Sequence, residues 1–276
     1  MPDATLPEPH AHPAPSLPDS DSFARTLGER GWIVIERFVE DAFVVRMRED
    51  LERAYVTCRR LQIANGIAPD TEGTLHHLIG QGDTFLEFID RLAPVVPLFE
   101  RHFGGKFVLN SFGGNILRRG ASYASAVHRD VRTYSPQLPL LLNTLLMLDD
   151  FTRENGATRM LAGSHRSCPT KPDDVTFAAG AEAATGPSGS LLVFDSNLWH
   201  AAGVNTTGSA RRSVTPMFCR PFVKPQFDYP RVLGQARMES LSETQRQILG
   251  YYARIPATLD EWYQPPERRM YRPGQG

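Results

Sequence analysis

Three residues of this chain have the types and the spacing of metal ligands. His128 and Asp130 are separated by one residue, and His200 follows the apolar run at 189–195. Side chains alternate between the two faces of a β-strand, so residues 128 and 130 would point to the same side. Two imidazoles and one carboxylate leave half of an octahedral ion's positions open, which is the ligand set of non-heme Fe(II) oxygenases. The sequence therefore predicts an iron site.

A cationic and a hydroxyl side chain follow these candidate ligands. Arg211 and Ser213 should lie on the same face of a predicted strand, and Arg212 should point the other way. A planar guanidinium can bind a carboxylate through two charge-assisted hydrogen bonds. Arg211 and Ser213 are therefore suited to an acidic co-substrate.

The tripeptide His128-Arg129-Asp130 also resembles the catalytic loop of protein kinases. That loop needs an Asn five residues after its Asp, where this chain has Ser135. The sequence also contains no glycine-rich phosphate loop and no D-F-G motif. These differences exclude the kinase interpretation.

Composition is typical of an enzyme that acts on small molecules in a reducing compartment. The 276 residues are 41% hydrophobic, which is enough for a large core. Thirty Lys and Arg against 31 Asp and Glu give a formal net charge of -1, so we expect no nucleic-acid partner. The three cysteines form no CxxC pair, and no apolar stretch is long enough to span a membrane. We expect a cytoplasmic monomer or homodimer with a small-molecule substrate and no membrane partner.

The order of sequence patterns predicts a leader followed by one domain. Residues 1–18 contain six prolines and almost no large apolar residue, so they should be disordered, with His10 and His12 solvated. Residues 19–276 should form a single domain. Apolar spacings of three and four predict helices at 19–30, 40–61, 84–92 and 94–103.

Many short strands, separated by Gly, Asn, Asp and Pro, predict a mainly β fold with flanking helices. The segments 65–83 and 170–187 should be loops. The predicted strands are 32–38, 106–111, 115–118, 127–134, 138–148, 157–161, 190–194, 199–204 and 211–222.

A longer motif resembles the central signature of the phytanoyl-CoA dioxygenase family. It runs from Asn143 through Asp149-Asp150 to Thr158 and is followed by Gly163-Ser164-His165-Arg166. His128, Asp130, His200 and Arg211 match the metal and 2-oxoglutarate positions of that family in order and spacing. The resemblance covers residues 31–257, and a motif of several parts is more specific than a single one.

The resemblance implies a double-stranded β-helix core, also called a jelly roll or cupin-like fold. It implies Fe(II) on His128, Asp130 and His200, with 2-oxoglutarate and O2 as co-substrates and the C5 carboxylate on Arg211 and Ser213. The expected reaction is hydroxylation of an unactivated C–H bond in a small metabolite, with release of succinate and CO2. Related halogenases carry a small residue in place of the carboxylate, so Asp130 favours hydroxylation. Desaturation, cyclisation and oxidative cleavage stay open as other outcomes.

Five further residues are candidates for ligand contacts, each with a structural alternative. Asn143 and Asn115 could flank the co-substrate or satisfy buried neighbours. Arg132 would bind an anionic or amino-acid-like substrate if it faces the pocket, although an exposed arginine is the commoner case. His76 and His77 could contact substrate, but packing or surface positions are favoured.

Two other classes of protein share parts of this pattern. A cupin-like metal protein without 2-oxoglutarate would not need Arg211 and Ser213, and a binding protein without turnover would not need intact ligands. Asp149-Asp150 could bind a second metal and His165 could be a fourth ligand, but a structural role in turns is favoured for both. The substrate itself is not fixed by any motif.

Overall fold

The computed structural model describes residues 16–120 and 125–275. Most of the predicted leader, with His10 and His12, lies outside these residues. Within the described part of the chain, every helix is too short or too polar to cross a lipid bilayer.

Four helices precede most of the strands, close to the predicted positions. Helix α1 begins after Asp19, whose carboxylate accepts hydrogen bonds from the next backbone N–H groups, and it ends at Gly31 with a φ of +86°. The others are α2, Asp41–Ala64, α3, Asp83–Arg91, and α4, Val96–Phe103; α1 itself is Ser20–Arg30.

The strands of the described residues form two antiparallel sheets. They are β1 Trp32–Ile35, β2 Thr74–Leu75, β3 Val108–Leu117, β4 Leu141–Met147, β5 Arg159–Met160, β6 Glu182–Ala183, β7 Leu191–Asp195, β8 His200–Ala201 and β9 Arg211–Cys219. The larger sheet has the order β1-β7-β4-β9-β3-β2, and the smaller one has the order β6-β5-β8. This architecture confirms the mainly β core with flanking helices.

Short helices follow β5 and β9. They are α5 Ser164–Ser167, α6 Asp174–Gly180, α7 Tyr229–Leu233, α8 Gln235–Ser240, α9 Glu243–Ile248 and α10 Leu259–Trp262, with 3-10 turns at Pro69–Thr71 and Pro266–Arg268.

The larger sheet has one face for the core and one for a cavity. Buried side chains at alternate positions, such as Phe112, Leu146 and Phe218, pack with aromatic residues of α2, α3 and α4. Fully burying one such side chain contributes roughly 1.5–3 kcal/mol. The intervening residues, such as Asn143 and Thr215, line a cavity on the opposite face. Strand alternation therefore separates the residues that stabilise the fold from those that can contact a ligand.

Several predicted element bounds were wrong. The segments 106–111 and 115–118 belong to one strand, β3, because Gly113 lets β9 approach closely: a Cβ there would lie 2.6 Å from Thr215 Oγ1. The segment 127–134 is not a strand, since only His128 pairs, in an isolated bridge with His200. The predicted loops contain β2 at 74–75 and both α6 and β6 within 170–187.

Candidate metal and co-substrate site

His128, Asp130 and His200 come together as the sequence predicts. Their candidate ligand atoms all lie within 4.8 Å of one another. The Nε2 atoms of His128 and His200 are 3.5 and 3.6 Å from the two carboxylate oxygens of Asp130. In the described residues this is the only such group of three or more His, Cys, Asp or Glu side chains.

Both imidazoles are oriented by backbone carbonyls. Nδ1 of His128 lies 2.8 Å from the carbonyl oxygen of Ala126, and Nδ1 of His200 lies 2.9 Å from that of Leu198. With the proton on each Nδ1, the Nε2 lone pair faces Asp130. Metal-binding histidines usually donate their other ring N–H to a carbonyl or carboxylate in this way. Burial lowers the pKa of His200 below its usual range, more than the Asp130 carboxylate raises it. The donors therefore fit a divalent ion such as Fe(II).

Asp130 lies outside any strand and is held by isolated backbone and side-chain hydrogen bonds. The backbone N–H groups of Asp130 and Val131 donate to the carbonyl oxygen of Ser196 at 3.2 and 3.3 Å. Nδ2 of Asn143 donates to the Asp130 carboxylate, and the Ser196 hydroxyl donates to Oδ1 of Asn143 at 3.0 Å. Asn143 and Ser196 are both buried. This Ser196–Asn143–Asp130 chain fixes the carboxylate in a segment without regular pairing.

Arg129, between the two candidate ligands, points away from them. Its guanidinium lies over the Trp199 ring, 4.0 Å from the centroid, and donates to the carbonyl oxygens of Cys168 and Pro169 at 2.9 and 2.6 Å. The orientation is the expected one, although it comes from these contacts and not from a regular strand.

Arg211 lies at the start of β9, in the wall of the same cavity as the three candidate ligands. It is 3% exposed, donates to the carbonyl oxygen of Gly156 and lies over the Phe151 ring at 4.2 Å. Arg212 points the other way, to Glu52 at 2.6 Å and Asp149 at 3.4 Å. Of the two arginines, Arg211 alone can reach a ligand in the cavity.

Ser213 shares the β9 face of Arg211 and is fully buried. Its hydroxyl makes no hydrogen bond with any described residue. A buried polar group left in that state costs about 1–3 kcal/mol. A carboxylate bound beside Arg211 would satisfy it, so Arg211 and Ser213 fit the predicted co-substrate.

The other candidate contacts divide into two groups. His76, Asn115 and Asn143 line the cavity, which has a volume of about 300 Å³. His77 does not: its ring stacks on Phe227 with 4.3 Å between centroids. Arg132 is exposed and is not one of the described residues that line the cavity.

Two further residues have structural contacts. His165 is buried on α5, with Nε2 3.1 Å from the carbonyl oxygen of Gly28, and is not part of the ligand group. Asp149 pairs with Arg48 at 3.1 Å and with Arg212. Asp149 lies outside any helix or strand, as predicted, whereas His165 lies on the short helix α5 and not in a turn.

Sequence reasoning missed Ser196 and Thr74. Ser196 follows a buried strand directly, and polar residues at that place are a usable signal for a site. Thr74 lines the cavity from β2 and had no signal, since β2 has only two residues.

Known proteins resemble this chain over most of its length. A family model described as Phytanoyl-CoA dioxygenase (PhyH) matches residues 27–213. Uncharacterized protein Rv1501 of Mycobacterium tuberculosis is 33% identical over 258 residues, which is 89% of this chain and 92% of the relative. The Fe(II)/2-oxoglutarate-dependent dioxygenase nvfF of Aspergillus novofumigatus is 24% identical over 90% of this chain and 87% of its own.

A solved structure agrees with the fold. The crystal structure of AviO1 from Streptomyces viridochromogenes Tue57 superposes with a TM-score of 0.56 at 21% identity, over 75% of this chain and 97% of AviO1. The family match covers more than half of the chain and includes both candidate histidines, Asp130 and Arg211. This chain therefore belongs to the phytanoyl-CoA dioxygenase family.

Proposed function

We propose that this protein is an Fe(II)- and 2-oxoglutarate-dependent dioxygenase that hydroxylates an unactivated C–H bond of a small molecule. One observation carries the proposal: the His128, Asp130 and His200 side chains share a single cavity with buried Arg211. Two imidazoles and a carboxylate leave positions for a chelating co-substrate and dioxygen. A cupin-like protein without 2-oxoglutarate would have no need of Arg211 there.

The two sheets support a double-stranded β-helix as the core of the proposed enzyme. β4, β9 and β3 form the wall of the cavity, and His200 on β8 faces it from the smaller sheet. The backbone of His128 pairs with that of His200 on β8, with N···O distances of 3.0 and 2.9 Å, and both imidazoles line the cavity. His200 of the smaller sheet and Arg211 of the larger sheet therefore line the same cavity.

The protein's part in the reaction is to bind and orient. His128 and His200 would bind the ion through Nε2, and Asp130 through a carboxylate oxygen that Asn143 holds in place. Arg211 and Ser213 would bind the C5 carboxylate of 2-oxoglutarate and thereby set the position of its other end. When bound, iron and 2-oxoglutarate supply the oxidation, in which O2 and 2-oxoglutarate yield succinate, CO2 and an oxidised substrate.

The carboxylate of Asp130 favours hydroxylation over halogenation, because it fills the position that a halide would need. A cavity of about 300 Å³ suits a small-molecule substrate.

Anaerobic titration of the Fe(II)-loaded protein with 2-oxoglutarate tests the proposal. We expect a weak visible charge-transfer band that saturates at one equivalent, followed by succinate release when oxygen is admitted. Absence of both the band and succinate would overturn the assignment. A band without succinate release would show that the protein binds the co-substrate but is not an oxygenase.

A further inference from the structure

A row of polar side chains crosses three strands on the cavity face of the larger sheet. Thr74 on β2 pairs with Asn115 on β3, and Asn115 pairs with Ser213 on β9. Residues directly opposite each other in antiparallel strands point to the same face. Thr74 and Asn115 both line the cavity, and Ser213 continues their row.

The members of this row have hydrogen-bonding capacity that the described residues do not use. The hydroxyls of Thr74 and Ser213 are buried without a hydrogen-bond partner among those residues. The half-buried Asn115 amide lies between them on β3 and lines the cavity. Because buried polar groups are normally paired, the row indicates a ligand that supplies donors and acceptors.

The positions of these side chains assign Ser213 to the co-substrate and Thr74 to the substrate. Ser213 lies beside Arg211 on β9 and belongs with the co-substrate carboxylate in the proposed function. Thr74 lies two strands away, at roughly 10 Å from β9 given the usual spacing of neighbouring strands. His76, two residues after Thr74, also lines the cavity. The β2 side of the cavity is therefore available to the substrate.

Charge limits what can bind on that side. Among the described residues that line the cavity, the acidic and basic side chains besides histidine are Asp130 and Arg211, and the proposed function uses both. Desolvation lowers the pKa of His76 below its usual range, which disfavours a charged imidazole there. That side of the lining therefore offers an ionic group of the substrate no charged partner, whereas its hydroxyl and amide side chains can bind uncharged polar groups.

We propose that Thr74 and Asn115 recognise an uncharged part of the substrate that carries hydroxyl, carbonyl or amide groups. This proposal rests on the proposed function and names the substrate class of the same cavity. It replaces the expectation of an anionic or amino-acid-like substrate, for which Arg132 was the candidate partner. Thr74 and Asn115 thus act as determinants of specificity and have no part in binding iron.

A fragment screen on the loaded protein tests this assignment. The protein would carry Zn(II) in place of Fe(II), together with 2-oxoglutarate, so that fragments bind without turnover. Several hundred size-matched fragments, split equally into neutral, anionic and cationic sets, would be followed by saturation-transfer NMR. We expect cavity binders to come mainly from neutral polyols and amides. A majority of charged binders, or no binder in the cavity, would overturn the proposal.

Variants of Thr74 test whether fragments bind at this row of polar side chains. Thr74→Val removes the hydroxyl at nearly constant volume and should weaken neutral fragments about fivefold, as expected for one hydrogen bond. Thr74→Lys should move the preference toward carboxylate fragments. The matched control is Thr26→Val, at a half-buried threonine on α1 outside the cavity. Equal affinities in the wild type and Thr74→Val would overturn the role of Thr74.

Binding of 2-oxoglutarate by each variant, measured by calorimetry, separates this proposal from the proposed function. We expect Thr74→Val and Thr74→Lys to bind 2-oxoglutarate with the wild-type affinity. If the wild type fails to bind 2-oxoglutarate, the proposed function fails. If it binds 2-oxoglutarate but selects charged fragments, only the substrate class is wrong.

Discussion

The two halves of the proposed active site are held by different kinds of structure. Arg211 and Ser213 lie on β9, which pairs with β3 on one side and β4 on the other. His128 and Asp130 lie in a segment whose regular pairing is a single bridge. The sheet half is fixed by two backbone ladders. In the ligand half, His128 and Asp130 are fixed by a few isolated backbone hydrogen bonds and by the side chains of Asn143 and Ser196.

This difference has a consequence for substitutions. In the sheet half, a side chain can be changed while the strands keep its position, so the effect should be confined to the ligand that it contacts. In the ligand half, a buried hydroxyl or amide such as Ser196 or Asn143 holds the geometry itself. Changes there should reach the metal without touching it.

The largest expected effect is that of Asp130→Asn, in the ligand half. Loss of the anionic ligand should weaken Mn(II) binding by more than about 100-fold and abolish succinate release. Changes to residues that only hydrogen-bond to a metal ligand typically cost about 10–100-fold. Calorimetry with Mn(II) measures the loss of affinity. Asp150→Asn is the control, because Asp150 accepts the N–H of Ser188 at 2.7 Å and an Asn oxygen can do the same. Metal binding by Asp130→Asn equal to that of the control would remove Asp130 from the site.

Arg211→Lys tests the sheet half. Lysine keeps the charge but loses the two-pronged geometry, so the Kd for 2-oxoglutarate should rise about 10–100-fold while Mn(II) binding stays unchanged. Arg212→Lys is a matched control on the same strand, since Arg212 faces Glu52 and Asp149. Equal losses in both variants would mean that strand disruption, and not carboxylate recognition, explains the result.

Ser196→Ala should give the opposite pattern to Arg211→Lys, because it should weaken metal binding more than 2-oxoglutarate binding. It removes the donor to Asn143, which then holds the Asp130 carboxylate less firmly. Mn(II) affinity should fall about 10-fold, which is the lower end of the effect of residues that orient a metal ligand. The affinity of the metal-loaded protein for 2-oxoglutarate should change less. Ser196→Thr keeps a hydroxyl and should restore most of the metal affinity. Failure of Thr to restore it would indicate a packing defect instead.

The sequence predicted the sheet half with its orientations. Side-chain alternation along β9 correctly assigned Arg211 and Ser213 to one face and Arg212 to the other, because β9 is a regular strand. The same argument brought the candidate ligands at residues 128 and 130 to one side, as the structure does, but for a partly wrong reason. That segment is not a strand, and its side chains meet because of the bridge to His200 and the contacts of Asn143.

Features that depend on contacts distant in sequence could not be predicted. Asn143 was a candidate for either a co-substrate contact or a structural hydrogen bond. Its bonds to Asp130 and Ser196 join residues 13 and 53 positions away in sequence, so no local pattern could predict them. β2 has two residues and exists only because β3 lies beside it. Both features follow from tertiary packing, which overrides local propensity in short segments.

The smallest expected effect is that of acid pH, which should destabilise the region of α5 and β8 before it destabilises β9. Burial lowers the pKa of His165 more than Asp195 raises it, and His165 lies on α5, where Ser164 accepts the N–H of Trp199 beside His200. The unfolded chain then binds this proton near pH 6.5 while the folded chain does not, so stability should fall as pH drops below about 6.5. His165→Gln, which can still donate to the Gly28 carbonyl, should reduce the pH dependence of Tm between pH 7.5 and about 5.5. Hydrogen exchange at acid pH should rise near α5 and β8 before it rises in β9. Parallel Tm curves for the wild type and the variant would assign the acid sensitivity to other groups.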